Sequence, residues 1–80
     1  MIRNECLRPA NAWEHPTQEE IREAVTLTGL SGAQISERLG LADSRSIRRW
    51  ISKPESMPYA VWALLCNFAG FGCIWRNEKD

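Results

Sequence analysis

A chain of 80 residues with 44% apolar content has room for one compact core and none for a second. Its ten basic and ten acidic side chains cancel, which excludes a wholesale polyanion binder and makes the placement of charge the informative quantity. A large catalytic cleft is not expected at this size.

Residues 1–15, MIRNECLRPANAWEH, scatter Cys6, Leu7 and Trp13 among polar residues with no helical period, and read as an N-terminal arm. Order begins at Thr17. Thr17-x-x-Glu20 is a capping box, and Glu19 and Glu20 suit the positive end of a helix dipole. Ile21, Ala24, Val25 and Thr28 then fall at helical spacing, and Gly29 supplies a left-handed stop. A second box, Ser31-x-x-Gln34, opens a short helix in which Ala33, Ile35 and Leu39 are the small and apolar positions before Gly40.

After the tight turn of LGLADSRSI, either Asp43 or Ser44 can cap a third helix whose apolar side is Ile47, Trp50 and Ile51. Pro54 disfavours helical geometry at the residue before it, so this helix stops near Lys53. A loop, KPESM, leads to a fourth helix, PYAVWALLCNFAG, with Pro58 at its start and Gly70 at its end. The expected fold is all-α, four to five short helices over residues 16–70, followed by a tail over 71–80. Trp50, Ile47, Ile35, Leu39, Val25, Ile21, Trp62 and Leu65 are the expected core.

No charge occurs between Ser56 and Trp75, yet only about a dozen of these residues are continuously helical, short of the roughly 20 needed to span a bilayer. No membrane insertion is expected. The fourth helix is apolar nearly all round, so Trp62, Phe68, Phe71, Ile74 and Trp75 are candidates for a contact between two copies of the chain. The alternative is a tail that folds back over the domain with Leu7 and Trp13.

Cys6, Cys66 and Cys73 are odd in number and widely spaced, without a signal peptide, which reads as reduced thiols and a cytoplasmic location. There is no C-x-x-C pair, and His15 stands alone beside Pro16. No metal, cofactor or small-molecule ligand is expected. No His, Cys or carboxylate pair has the spacing of a nucleophile–base unit, so an enzyme is the least favoured class.

The charges are unevenly placed. Thr17–Thr28 carries Glu19, Glu20 and Glu23 against Arg22 alone, whereas Asp43–Lys53 carries Arg45, Arg48, Arg49 and Lys53 against Asp43 alone. With Ile47, Trp50 and Ile51 turned inward, the opposite face of the third helix presents Arg45, Ser46, Arg48, Arg49 and Ser52, with no acid at i±3 or i±4 within the helix. Arginine offers a planar fork that matches guanine O6 and N7 or clamps a phosphate, and serine hydroxyls meet almost any base edge. Ser44 and Ser46 lie at the helix start, where a recognition helix reads bases. A merely solvated basic face is the competing reading.

GLSGAQISERLGL, SRSIRRWIS and MPYAVWALL together resemble helix 2, the recognition helix and the following helix of the lambda-repressor-like, or XRE-type, helix-turn-helix regulators. The likeness is to the small members found in phages and conjugative elements, and runs from about Thr17 to Gly70. It implies base reading by Ser44, Arg45, Ser46 and Arg49. It implies phosphate contact by Ser31, Gln34, Arg48, Ser52, Lys53 and Tyr59. It also implies a repressor of its own or a neighbouring promoter; paired about a two-fold axis, two copies would read a palindromic double-stranded operator. Three positions depart from the pattern. Gly32 stands where relatives place a phosphate-clamping glutamine, Ser36 where they favour alanine, and LADSRSI is one residue longer than the usual turn. A rival of another class is a protein-interaction module that docks a partner through the Trp-rich fourth helix and tail.

Overall fold

The structure, a computed structural model, describes residues 2–75. Four α-helices carry the fold: α1 (Gln18–Thr28), α2 (Gly32–Leu39), α3 (Arg45–Ser52) and α4 (Tyr59–Phe68). Short 3-10 turns occupy Asn4–Leu7, Ala10–Ala12 and Pro54–Ser56, and no strand occurs among the described residues. The fold is all-α, as expected.

Local chemistry sets the helix ends. The Glu20 amide donates to Thr17 Oγ1 at 3.2 Å while the Thr17 amide donates to Glu20 Oε1 at 2.8 Å, completing the first capping box. Ser31 and Gln34 repeat it at the start of α2, at 3.1 and 2.9 Å. At the other end of α2, Gly40 takes a φ of +78°, and the Leu41 amide turns back to the Ser36 carbonyl at 2.8 Å. The left-handed bend is what lets α3 leave in a new direction.

The core is built from one face of each helix. Ile21 and Ala24 of α1, Ile35 of α2, Ile47 and Trp50 of α3, and Trp62, Ala63, Leu65 and Cys66 of α4 are buried together. Full burial of an Ile or Leu contributes about 1.5–3 kcal/mol, so Ile21, Ile35 and Leu65 are among the main stabilising side chains. Val25 and Leu39, also expected in the core, are half-buried at its margin. Helix α1 packs on α3 and α4, and α2 on α4, which leaves the far side of α3 uncovered.

The N-terminal segment is part of this domain rather than an arm. Ile2 and Cys6 are buried in the same cluster, with Leu7 and Trp13 packed against it. Polar anchors hold the segment down. The Trp62 indole donates to the Cys6 carbonyl at 2.7 Å, the Tyr59 hydroxyl donates to the Arg8 carbonyl at 2.9 Å, and Trp13 meets the Tyr59 ring edge-on at 5.0 Å. The Arg3 guanidinium reaches both carboxylate oxygens of Glu20, each at 3.0 Å, and the Arg3 amide adds a third bond at 2.9 Å. No periodicity in residues 1–15 signals this, because the segment follows the surface of α1 and α4 instead of repeating a helical face of its own.

The tail also folds back. Ile74 is buried in the core and Trp62 is wholly buried, so these two residues are not contacts between copies; packing within the chain already covers them. Phe68 is half-buried. What stays exposed is Leu64, Phe71 and Trp75, at 39%, 39% and 43%. Residues 76–80 of the expected tail lie outside the described residues.

Cys6 and Cys66 are buried free thiols, and Cys73 is exposed. Burial, joined by the nearby Glu20 carboxylate, pushes Cys6 up to about 11. Burial pushes Cys66 up to about 12. Both remain thiols at neutral pH; Cys66 acts as a small apolar packing group, whereas the Cys6 thiol donates to Glu20 Oε2 at 3.5 Å and accepts from Arg3 Nη2 at 3.6 Å. No helix among the described residues is long and apolar enough to cross a membrane.

Candidate nucleic-acid interface

Helix α3 is short and sharply two-sided. Ile47 and Trp50 are buried, Ile51 is half-buried, and Arg45, Arg48, Arg49 and Ser52 are exposed on the opposite side, with Lys53 just beyond. The three arginines and the lysine thus share one solvent-facing surface. Arg48, Arg49 and Lys53 make no ion pair among the described residues, and the Arg49 Nη2 reaches only Ser46 Oγ, at 3.4 Å.

Arg45 differs. Its Nη2 lies 2.8 Å and its Nε 3.0 Å from Asp43 Oδ2, and its backbone amide donates to Asp43 Oδ1 at 2.9 Å. Helix α3 therefore has a compensating acid after all, placed just before its first residue instead of within it. Ser44 is the N-cap by position but makes no side-chain capping bond; Asp43 supplies that acceptor. The hydrogen bonds to the Arg45 side chain and amide hold the Asp43 carboxyl below the usual carboxylate range.

Helix α2 comes in against the start of α3. A Cβ added to Gly32 would lie 3.6 Å from the Ser44 Cβ, so the two helix starts are in van der Waals range. Ser36 of α2 is buried, and its hydroxyl donates to the Gly32 carbonyl at 2.8 Å, which satisfies the group that alanine would avoid. The capping bonds at the α2 start use acceptor atoms, Ser31 Oγ and Gln34 Oε1. Both exposed side chains keep their own donors, the Ser31 hydroxyl and the Gln34 amide N–H groups, beside the unpaired backbone amides of the helix N-terminus.

Two expected donors are otherwise engaged. Tyr59 is half-buried and gives its hydroxyl proton to the Arg8 carbonyl, so it braces the N-terminal segment and is not free to clamp a phosphate. Ser52 gives its proton to the Arg49 carbonyl at 3.0 Å, one turn back on its own helix. Ser44 and Ser46 are half-buried at the α3 start, beside exposed Arg45 and Arg49. The structure thus gathers Ser31, Gln34, Ser44, Arg45, Ser46, Arg48, Arg49, Ser52 and Lys53 around two adjoining helices, and engages the Tyr59 hydroxyl with the N-terminal segment instead.

Comparison with characterised proteins turns this geometry into a family assignment. Two transcriptional repressor proteins KorC from Escherichia coli are each 49% identical to the chain. One alignment spans 79 residues, 96% of this chain and 93% of the relative; the other spans 78 residues, 95% and 92%. The chain belongs to the KorC family of transcriptional repressors.

Membership in the KorC family makes the chain a regulator of transcription. No family model matches the sequence, and no solved structure matches it. Within this KorC-family chain, the grip of Asp43 on Arg45 is the feature of the surface that sequence reading missed. Its signal in the sequence is Asp-x-Arg at a helix start, a spacing that a cap explains equally well.

Proposed function

We infer that this chain is a sequence-specific, double-stranded DNA-binding repressor in which α2 and α3 form a helix-turn-helix and α3 enters the major groove. The observation that supports it best is the outward face of α3, where Arg45, Arg48, Arg49 and Lys53 stand exposed on a chain of zero net charge. In this reading Ser44, Arg45, Ser46 and Arg49 address base edges, and Ser31, Gln34, Arg48, Ser52 and Lys53 hold phosphates, Ser52 by exchanging its bond to the Arg49 carbonyl. The likeness to small regulators of mobile elements supports control of its own or a neighbouring promoter.

The test is affinity against salt. Each phosphate neutralised releases condensed counterions, so binding falls steeply as salt rises, and Lys53→Ala reduces the slope of log K against log salt by about one unit on specific and random DNA alike. Gel-shift titration of both proteins at several salt concentrations measures this. Affinity that ignores salt rejects DNA binding and favours a protein partner.

One recognition helix spans few base pairs, and two copies about a two-fold axis read a palindrome with half-sites roughly 10 base pairs apart. The exposed apolar groove formed by Tyr59, Ala60, Ala63, Leu64 and Trp75 supports such a pair. Leu64, Phe71 and Trp75 replace Trp62 and Ile74 as its contact residues. Analytical ultracentrifugation at micromolar concentration is expected to give a dimer, and Leu64→Glu a monomer. A wild-type monomer bound singly to its operator would refute the pairing.

A further inference from the structure

Asp43 takes hold of one residue by both its backbone and its side chain. Oδ1 accepts the Arg45 amide, while Oδ2 accepts Nε and lies in ion-pair contact with Nη2, 2.8 Å away. One edge of the guanidinium is thereby committed. The end of the fork, with both N–H groups of Nη1 and the outer N–H of Nη2, points away from the carboxylate. The Arg45 side chain is 79% exposed and that of Asp43 44% exposed, so the pair lies open to solvent at the start of α3.

An ion pair this exposed contributes little to folding. Its physical effect is to restrict a long, flexible side chain to one direction before any partner arrives, which lowers the ordering cost of binding. Guanine presents O6 and N7 as two acceptors along one major-groove edge, matched by the Nη1 and Nη2 end of an arginine fork. We propose that Asp43 is a positioning residue for DNA specificity: it aims the free end of the Arg45 guanidinium at a guanine contacted by the first turn of α3. This rests on the reading of Arg45 as a base contact.

The carboxylate also fits a discriminating role, because it carries negative charge close to the DNA backbone. Its removal is expected to leave affinity for random DNA unchanged or raised while the preference for guanine falls. A residue that only braced the helix start would weaken binding to every sequence.

Selection of bound sequences from a random double-stranded pool, carried out with the full chain, tests this. Wild type is expected to show an invariant guanine that Arg45→Ala relaxes by about 5- to 150-fold. Asp43→Asn keeps an acceptor for the Arg45 amide but lacks the charge that holds the fork, and relaxes the same position by at least about threefold. Adding Asp43→Asn to Arg45→Ala then changes that position no further. Thermal melting of each variant checks folding, and Asp43→Ser, a second capping residue without the charge, is expected to repeat the result. If Arg45→Ala relaxes a guanine and neither Asp43 variant does, the positioning role is overturned and the base contact stands. If Arg45→Ala relaxes no position, both fall. A uniform rise in affinity for Asp43→Asn with unchanged base preference also overturns the positioning role.

Discussion

Glu20→Ala is expected to destabilise the fold by about 2–3 kcal/mol, lowering the melting temperature by roughly 10–20 °C in a domain of this size. Glu20 is 5% exposed and serves two structures at once. It closes the α1 capping box with Thr17, and it receives the backbone and guanidinium of Arg3, which in turn donates to the His15 carbonyl at 3.1 Å. Alanine keeps the bond from the residue-20 amide to Thr17 but removes the acceptor of the Thr17 amide, and it releases the N-terminal segment whose Ile2 and Cys6 complete the core. Arg3 is partly exposed and can return to water, so the loss stays below that of a fully buried ion pair. Circular dichroism melting of wild type and variant measures the difference; a change of under a few degrees would show the segment to be held by apolar contacts alone.

The same carboxylate makes stability depend on acid. Burial works against its ionisation, but hydrogen bonds from the Arg3 side chain, the Arg3 amide and the Thr17 amide outweigh burial and bring Glu20 from 4.5 down to about 2. A folded-state value below the unfolded one means that the unfolded chain takes up the proton more readily. The stabilisation is therefore complete above about pH 4.5 and is lost as pH falls toward 2. The melting temperature of Glu20→Gln is expected to fall less than that of wild type over this window.

Arg49→Ala is expected to cost about 1–3 kcal/mol on the preferred site, a loss of roughly 5- to 150-fold, and less on random DNA. Arg49 stands one turn beyond Arg45 on the exposed side of α3, where among the described residues its side chain donates to Ser46 Oγ and pairs with no carboxylate. Its fork is therefore available to a guanine edge. Fluorescence anisotropy with specific and scrambled duplexes at one salt concentration gives the ratio directly. Equal loss on both would assign Arg49 to the phosphate backbone.

The four helices were legible because their signals are local. Capping boxes at Thr17 and Ser31, glycine stops at Gly29, Gly40 and Gly70, and the break at Pro54 each act through bonds or torsions within a few residues. The basic face of α3 was equally legible, since Ile47, Trp50 and Ile51 at helical spacing force the arginines outward. Where reading failed, the partner lay far along the chain. Arg3 and Glu20 are 17 residues apart, Tyr59 and Arg8 are 51 apart, and Trp62 and Cys6 are 56 apart. Those distances turned an expected arm into a strap and an expected phosphate donor into its brace.

The amino-acid order by itself determined which residues are helical, where each helix stops and which side of α3 is charged, because these follow from torsional preference, capping and periodicity over a turn or two. Only the tertiary structure decided what covers the apolar surplus of α4. That outcome depends on which distant segment, N-terminal strap, Ile74 or a second copy, buries the most apolar surface while satisfying its own polar groups. It also decided that Asp43 binds both the amide and the guanidinium of Arg45, since an Asp-x-Arg pair is a cap, a salt bridge or nothing until the turn before the helix fixes the direction of both side chains.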